Sequence, residues 1–267
     1  MQELALAVLR RVAERTARTG FLDTPAGRLR FAVRGERGPE LLLLHGLGDS
    51  LAGWAQVVPR LARTHRVHLL DLPGHGLSSR PPDWRLATLL SAVAEYARGL
   101  SRPILAGHSL GGWLAAKLAL QGNAAGLVLI NPAGATLDRQ HWEPFRALVS
   151  AQDRAGVERY LAHAFHKPPL ALRLFPGEVI KTMWSDAAQG ILGALTEADF
   201  LESSALEKLR LPARLVWGSR DRLLPPGTLK FFQAALPDAD LVLLEEAGHL
   251  PHFESPHQLA DALASPL

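Results

Sequence analysis

Ile104-Leu-Ala-Gly-His-Ser-Leu-Gly-Gly112 is the stretch of this 267-residue chain from which the fold can be inferred, because a short apolar run turns there into Gly-x-Ser-x-Gly and then into a helical pattern. A serine at the tip of a strand-to-helix turn has strained backbone angles, and the residues two positions away on either side lie too close for side chains. Gly107 and Gly111 leave that space open. The apolar periodicity predicts a buried strand over 103–107 and a helix over 110–121.

The composition excludes several classes of protein. A chain of this length predicts one large α/β domain with an insertion. The chain has no cysteine, so disulfides, thiolate metal sites and a cysteine nucleophile are excluded. The charged N-terminal segment does not resemble a secretory signal, and no run approaches the roughly 18 apolar residues that span a bilayer. We therefore expect a cytoplasmic protein.

The charge is unevenly distributed. The net charge is +3, and residues 1–38 carry eight Arg against four acidic residues, so the rest of the chain is close to neutral. A nucleic-acid partner is not expected, because the main body lacks a basic face with stacking aromatics. Residues 2–18 have an apolar stripe opposite charged positions, which predicts an amphipathic helix and a separate N-terminal segment at 1–19. A solvated, docked helix is favoured over peripheral contact with an anionic membrane.

From residue 20 onward, predicted strands alternate with predicted helices. A hairpin is predicted at 20–24 and 28–34, followed by continuously apolar strands typical of a parallel sheet that is covered on both faces. These strands are at 40–44, 66–70, 103–107, 126–130, 213–217 and 240–244, and the helices between them are near 54–62, 86–100, 110–121, 226–235 and 256–263. Residues 132–211 interrupt this order with helical patches, which predicts a helical cap inserted into a core made of 20–131 and 212–267.

Polar residues follow the predicted strands, where the carboxyl ends of a parallel sheet form a ligand site. Ser109, Asp221 and His249 follow three of them, in the chain order Ser, Asp, His that is associated with nucleophile-elbow hydrolases. Four motifs accompany them: His45-Gly-Leu-Gly48, Asp71-Leu-Pro-Gly-His-Gly-Leu-Ser78, Gly107-His-Ser-Leu-Gly-Gly112 and Gly248-His-Leu-Pro-His-Phe-Glu-Ser-Pro256.

On these motifs the chain resembles the α/β-hydrolase superfamily, in particular its capped single-domain branch of esterases, lipase-like enzymes and carbon–carbon bond hydrolases. The resemblance runs from about residue 20 to the C-terminus. It implies an α/β-hydrolase fold, with a mostly parallel eight-stranded sheet between helices and a helical cap. It also implies an acidic residue after the penultimate strand, and Asp221 stands there.

The chemistry of the three residues assigns their roles. Ser109 Oγ is a weak nucleophile until His249 accepts its proton, and His249 needs an acid to fix its tautomer. Asp221 is favoured over the other acids for this role by its place in the strand order; the rivals are Asp71, Asp138, Asp186 and Asp199. The backbone N–H groups of Leu47 and Leu110 are the predicted oxyanion hole, since donors commonly lie after the first parallel strand and after the nucleophile.

The predicted pocket is apolar, and its candidate residues are His45, His108, Trp113, Trp142, Phe145, Phe165, Met183 and Trp184. Aromatic residues at helical spacing are, however, more often simple core than pocket lining. For His45 and His75, a structural role in holding loops is favoured. His163 and His166 either contact substrate or lie on the surface. His249-x-x-His252 has no third ligand type nearby, so neither a metal nor another cofactor is predicted.

These features predict a serine hydrolase that cleaves a small to medium apolar ester through an acyl-enzyme on Ser109. Two alternatives keep the site: hydrolysis of a carbon–carbon bond in a ring-cleavage-type diketone, and acyl transfer to another acceptor. A third is a non-catalytic small-molecule binding protein, disfavoured because all three polar residues are present. A serine rather than an aspartate at position 109 argues against dehalogenase and epoxide hydrolase chemistry.

Overall fold

A computed structural model describes residues 11, 16–137, 139–150, 153–174, 176–183 and 185–267. Most of the helix predicted at 2–18 lies outside these residues. Thr16 is in a turn and the first strand begins at Arg18, so the predicted end of that helix at residue 18 is wrong.

Eight strands form one sheet, as predicted. They are β1 (Arg18–Thr24), β2 (Gly27–Arg34), β3 (Glu40–Leu44), β4 (Arg66–Leu70), β5 (Ile104–His108), β6 (Gly126–Ile130), β7 (Ala213–Gly218) and β8 (Asp240–Leu244). Their order is β1-β2-β4-β3-β5-β6-β7-β8. The β1–β2 hairpin is antiparallel, β2 joins β4 antiparallel, and every pair from β4 to β8 is parallel. The carboxyl ends of β3, β5, β6, β7 and β8 therefore lie along one edge.

Twelve α-helices occur within the described residues. They are α1 (Val58–Leu61), α2 (Leu86–Ala97), α3 (Leu110–Leu120), α4 (Arg139–Val149), α5 (Arg154–Ala164), α6 (Leu170–Leu174), α7 (Pro176–Met183), α8 (Asp186–Ala194), α9 (Ser203–Leu206), α10 (Thr228–Ala235), α11 (Pro251–Glu254) and α12 (Pro256–Ala264). The single helix predicted near 54–62 is a 3₁₀ turn at Leu51–Trp54 followed by α1. Pro59 lacks a backbone N–H, so it stands in the first turn of α1 and cannot continue an earlier helix.

Helices cover both faces of the sheet, which explains why its central strands are continuously apolar. Along β3, Leu42 and Leu44 pack in a cluster with α2, α3 and α10, whereas Leu41 and Leu43 pack in a second cluster with α1 and α12. Successive strand side chains point to opposite faces, so both sets are buried. The polar residues that follow these strands are therefore held on a rigid apolar layer.

The segment between β6 and β7 is helical and is joined at its base; we call it the helical insertion. Leu201 N–H donates to the Gly134 carbonyl at 2.7 Å, and the Thr136 hydroxyl donates to the Leu201 carbonyl at 2.7 Å. Ala135 and Leu201 form an isolated β-bridge at the same place. The chain thus enters and leaves the insertion through one hydrogen-bonded clasp.

Candidate active site

Ser109 occupies the sharp turn between β5 and α3. Its φ of 51° and ψ of −115° lie in a region that L-residues rarely adopt. A Cβ on Gly107 would lie 2.1 Å from the Gly111 carbonyl oxygen, and a Cβ on Gly111 would lie 2.2 Å from the Leu44 carbonyl oxygen. Both glycines are required because the backbone fills the space that a side chain would need. This agrees with the steric interpretation of the motif.

His249 and Asp221 are hydrogen-bonded at the same sheet edge. His249 Nδ1 lies 2.9 Å from Asp221 Oδ2, and both side chains are almost completely buried. The other carboxylate oxygen accepts the N–H groups of Leu223 at 2.9 Å and Leu224 at 3.2 Å. Burial raises the pKa of the Asp221 carboxyl, but the charge and hydrogen bond of His249, together with the hydrogen bonds from Asn131 and Leu224, outweigh burial and hold the pKa below its ordinary value. An ionised Asp221 favours the Nδ1–H tautomer of His249, with Nε2 as the acceptor.

Asn131 is a further residue of this group, and sequence reasoning assigned it no role. Its Nδ2 donates to Asp221 Oδ2 at 2.7 Å, and its Oδ1 accepts the Gly218 N–H at 3.1 Å. Its φ is 39°, in the left-handed region that asparagine tolerates better than most residues. The available signal was its position directly after β6, beside the strand that leads to Asp221.

The rival acids have other partners. Asp71 accepts the N–H groups of Leu51 and Leu77, each at 2.8 Å. Asp186 pairs with the guanidinium of Arg80, and Asp199 caps the backbone N–H of Thr196. Asp138 lies outside the described residues. Of the described candidates, Asp221 is the acid that contacts His249.

A cavity of about 880 Å³ lies between the sheet edge and the helical insertion, and Ser109 is part of its wall. Leu47 and Leu110 line it beside the serine. Among the backbone–backbone hydrogen bonds that the described residues form outside helices and strands, none uses the N–H groups of these two residues.

The insertion provides most of the remaining wall, which contains apolar side chains together with several polar and charged ones. Trp113, Trp142 and Phe145 line the cavity, as expected, and the rings of Trp142 and Phe145 meet edge to face with centroids 5.4 Å apart. Trp184 and the side chain of Met183 lie outside the described residues. Sequence reasoning missed other lining residues, namely Ala133, Thr136, Leu137, Glu143, Arg146, Ile191, Leu192, Leu195, Thr196, Glu197, Phe200 and Glu202.

Three predicted pocket residues do not line this cavity, which corrects their assignment. His45 is fully buried: its Nδ1 donates to the Gly46 carbonyl at 2.8 Å and its Nε2 accepts the Leu72 N–H at 2.9 Å. His108 is also buried, with Nε2 2.7 Å from the carbonyl oxygen of His249. Phe165 belongs to the apolar core of the insertion. Backbone groups and core residues surround these three side chains.

The other histidines considered in the sequence analysis contact backbone carbonyls or acidic side chains. His252 Nε2 lies 3.2 Å from Asp49 Oδ2, and the described residues contain no group of three or more metal-ligating side chains. His75 lies 3.1 Å from the Pro73 carbonyl, and burial lowers its pKa to about 4. His163 binds the Arg159 carbonyl in its own helix, and His166 lies 3.6 Å from Glu246.

A model described as "Alpha/beta hydrolase family" matches residues 41–262 of this chain. The chain belongs to the alpha/beta hydrolase family. No helix among the described residues is long and apolar enough to cross a membrane.

Two relatives and two solved structures show the range of this alpha/beta hydrolase's neighbours. A pimeloyl-[acyl-carrier protein] methyl ester esterase of Aeromonas hydrophila is 30% identical, and the alignment covers 85% of this chain and 94% of the relative. The dihydrolipoyllysine-residue acetyltransferase component of the acetoin cleaving system of Pseudomonas putida is also 30% identical over 86% of this chain, which spans only 63% of that relative's length.

Among solved structures, a bacterial membrane phospholipase A superposes with a TM-score of 0.84 at 27% identity, over 98% of this chain and 89% of its own. A meta-cleavage product hydrolase from Pseudomonas fluorescens superposes with a TM-score of 0.78 at 17% identity, over 92% of this chain and 96% of its own, and this likeness concerns the fold alone.

Proposed function

We propose that this alpha/beta hydrolase is a serine esterase that cleaves small to medium apolar carboxylic esters through an acyl-enzyme on Ser109. The observation that carries the proposal is the combination of a strained serine in the cavity wall with a buried Asp221–His249 hydrogen bond at the same sheet edge. Nucleophile, base and orienting acid are the three parts of the Ser-His-Asp arrangement.

The proposed mechanism has two halves. Ser109 Oγ attacks the ester carbonyl carbon while its proton passes to His249 Nε2, and the tetrahedral oxyanion accepts the N–H groups of Leu47 and Leu110. Collapse breaks the ester C–O bond, and the proton on His249 goes to the leaving alkoxide to release the alcohol. Water then attacks the acyl-enzyme with His249 as base, which releases the carboxylic acid and restores the Ser109 hydroxyl. Throughout, Asp221 stays ionised and stabilises the imidazolium.

The helical insertion is proposed to act as the cap that selects the substrate, over the boundaries 132–211. Trp113, Trp142, Phe145 and Ile191 give the cavity an apolar wall, which favours an apolar acyl or aromatic group. The cavity volume of about 880 Å³ is within the range of small-molecule sites. The esterase among the relatives supports ester chemistry by similarity.

The proposal is tested with a fluorophosphonate probe and a panel of p-nitrophenyl esters of increasing acyl length. Wild-type protein should label at Ser109, as read by peptide mass spectrometry, and Ser109→Ala should not label. The variant should lose about 10⁴-fold or more in kcat with an unchanged melting temperature. Ser265→Ala, in the exposed C-terminal segment, is the matched serine control. Hydrolysis that survives Ser109→Ala would refute the assignment.

The same panel separates ester hydrolysis from the alternatives. A vinylogous β-diketone reports carbon–carbon bond hydrolysis, and an added alcohol or thiol acceptor reports acyl transfer. A higher kcat/KM for either than for every ester would replace the proposed chemistry while keeping the three residues. Binding without turnover of any substrate would favour a non-catalytic binding protein.

A further inference from the structure

His108 stands where three segments of the site meet. It precedes Ser109 in the turn, so it moves with the nucleophile. Its Nε2 lies 2.7 Å from the carbonyl oxygen of His249, and the two imidazole rings have centroids 4.8 Å apart. Its Nδ1 lies against Gly46, where an added Cβ would be 2.7 Å from that nitrogen. The His108 side chain thus adjoins Ser109 in the sequence and contacts both His249 and the backbone at Gly46.

The hydrogen bond to His249 fixes the chemical form of His108. A carbonyl oxygen only accepts, so Nε2 must carry the proton and donate it. Burial lowers the pKa of His108 well below its ordinary value, and the nearby rings of His252 and His249 lower it further. The ring therefore stays neutral at the pH values at which an esterase works, and the donor is permanent.

Another buried histidine packs against the imidazole ring of His108. The imidazole of His252 packs on His108 with centroids 4.7 Å apart, and His252 Nε2 lies 3.2 Å from Asp49 Oδ2. His252 also packs against Trp54. The orientation of His108 is therefore fixed by a buried layer behind the site, whereas the cavity is lined by other residues.

From this geometry we propose that His108 is a positioning residue, whose Nε2–H bond to the His249 carbonyl sets the separation of the catalytic base from Ser109. The inference rests on the proposed esterase function. It assigns His108 no contact with substrate, because the ring is buried and is not part of the cavity wall. Its effect is on the geometry of proton transfer, so it acts on kcat rather than on KM.

Two substitutions of similar length separate this role from simple packing. The side-chain amide nitrogen of glutamine reaches about as far as the imidazole Nε2 and can donate, whereas methionine fills similar space without a donor. His108→Met should lower kcat per active site by about 10- to 100-fold, with KM changed less than about twofold. His108→Gln should recover kcat to within about threefold of wild type.

His68→Met is the matched control, because His68 is another buried histidine, 2.9 Å from the Tyr96 hydroxyl. It lies on β4, which β3 separates from the β5 strand that leads to Ser109. The substitution should lower the melting temperature while kcat changes less than about twofold. All rates are normalised by fluorophosphonate titration, so loss of folded protein does not count as loss of kcat.

The outcomes distinguish this inference from the proposed function. If wild-type protein labels at Ser109 but His108→Met keeps its kcat, or if His108→Met and His108→Gln lose kcat equally, the positioning role is overturned alone. A wild type that neither labels nor turns over ester overturns both. A direct measurement covers the case in which a variant does not fold: long-range ¹H–¹⁵N NMR of wild type should show His108 as the neutral Nε2–H tautomer between about pH 5 and 9. A protonated or Nδ1–H ring would refute the inference.

Discussion

Removal of the Asn131 side-chain amide tests whether activity requires the Asp221 carboxylate to be held in its orientation by this hydrogen bond. In Asn131→Ala, Asp221 Oδ2 loses a donor at 2.7 Å, and the Gly218 N–H loses its acceptor at 3.1 Å. Each unsatisfied buried group costs about 1–3 kcal/mol. A loss of about that free energy from the stabilisation of the transition state lowers kcat by about 10- to 100-fold.

The backbone of Asn131 allows this loss to be separated from instability. Its φ of 39° would strain an alanine by about 1–2 kcal/mol, whereas glycine adopts this φ without strain. Asn131→Ala and Asn131→Gly should therefore lose kcat equally, while the alanine variant melts lower by about 2–4 °C for each kcal/mol of strain. The assay is p-nitrophenyl ester hydrolysis per titrated active site, with thermal denaturation of the same samples. A glycine variant that regains wild-type kcat, or activity that follows melting temperature across the pair, would show that the amide does not hold the acid.

Three further predictions concern the turn, the acid and the cavity. Gly111→Ala should cost more than about 3 kcal/mol of unfolding free energy, because its Cβ would meet the Leu44 carbonyl at 2.2 Å; Gly193→Ala, whose Cβ would have no neighbour within 4 Å, should raise stability by about 0.5–1 kcal/mol. Asp221→Asn should lower kcat by about 10⁴-fold. The pKa of Asp221 is lower in the folded protein than its ordinary value of about 4, so its carboxylate stabilises the fold at pH values above about 4. This stabilisation is lost as the pH falls through the lowered pKa. The melting temperature of Asp221→Asn should therefore fall less steeply with decreasing pH than that of the wild type. Trp142→Ala should shift the ratio of kcat/KM values toward longer p-nitrophenyl esters, because the ring lines the cavity.

Each of these has a contrary result. Equal melting temperatures for Gly111→Ala and Gly193→Ala would show that the elbow tolerates a side chain. Near-normal turnover by Asp221→Asn would mean that another acid serves His249. An unchanged chain-length profile in Trp142→Ala would place the acyl group away from the insertion.

The sheet was predictable from sequence because its strands are buried on both faces and are therefore apolar throughout. The boundaries of β3, β4, β6 and β8 agree with the prediction, and β5 and β7 differ by one residue. The turn at Ser109 was predictable for a different reason. Gly107 lies so close to the backbone of Gly111 that no side chain fits there, so the close packing requires glycine in the sequence.

The surroundings of the site were less accessible to sequence reasoning. His108 was expected in the pocket, yet it is buried at the end of β5, where its Nε2 lies 2.7 Å from the carbonyl oxygen of His249, a residue 141 positions away in the sequence. The contact of Asn131 with Asp221 joins residues 90 positions apart in sequence, which no local pattern encodes. The helical insertion lacks the steady alternation of the core, and its short helices are separated by proline-containing breaks such as Pro168-Pro169.

The clasp between Gly134 and Leu201 has a consequence for how this chain can diverge. Because the two ends of the insertion are already tied together, lengthening the segment between them adds little closure entropy, about 0.6 kcal/mol for each doubling of loop length. The length and sequence of the insertion can thus change without disturbing the sheet edge that carries Ser109, Asp221 and His249. Under the proposed function, changes in substrate preference would then arise within residues 132–211, whereas the three residues proposed for catalysis lie outside that range.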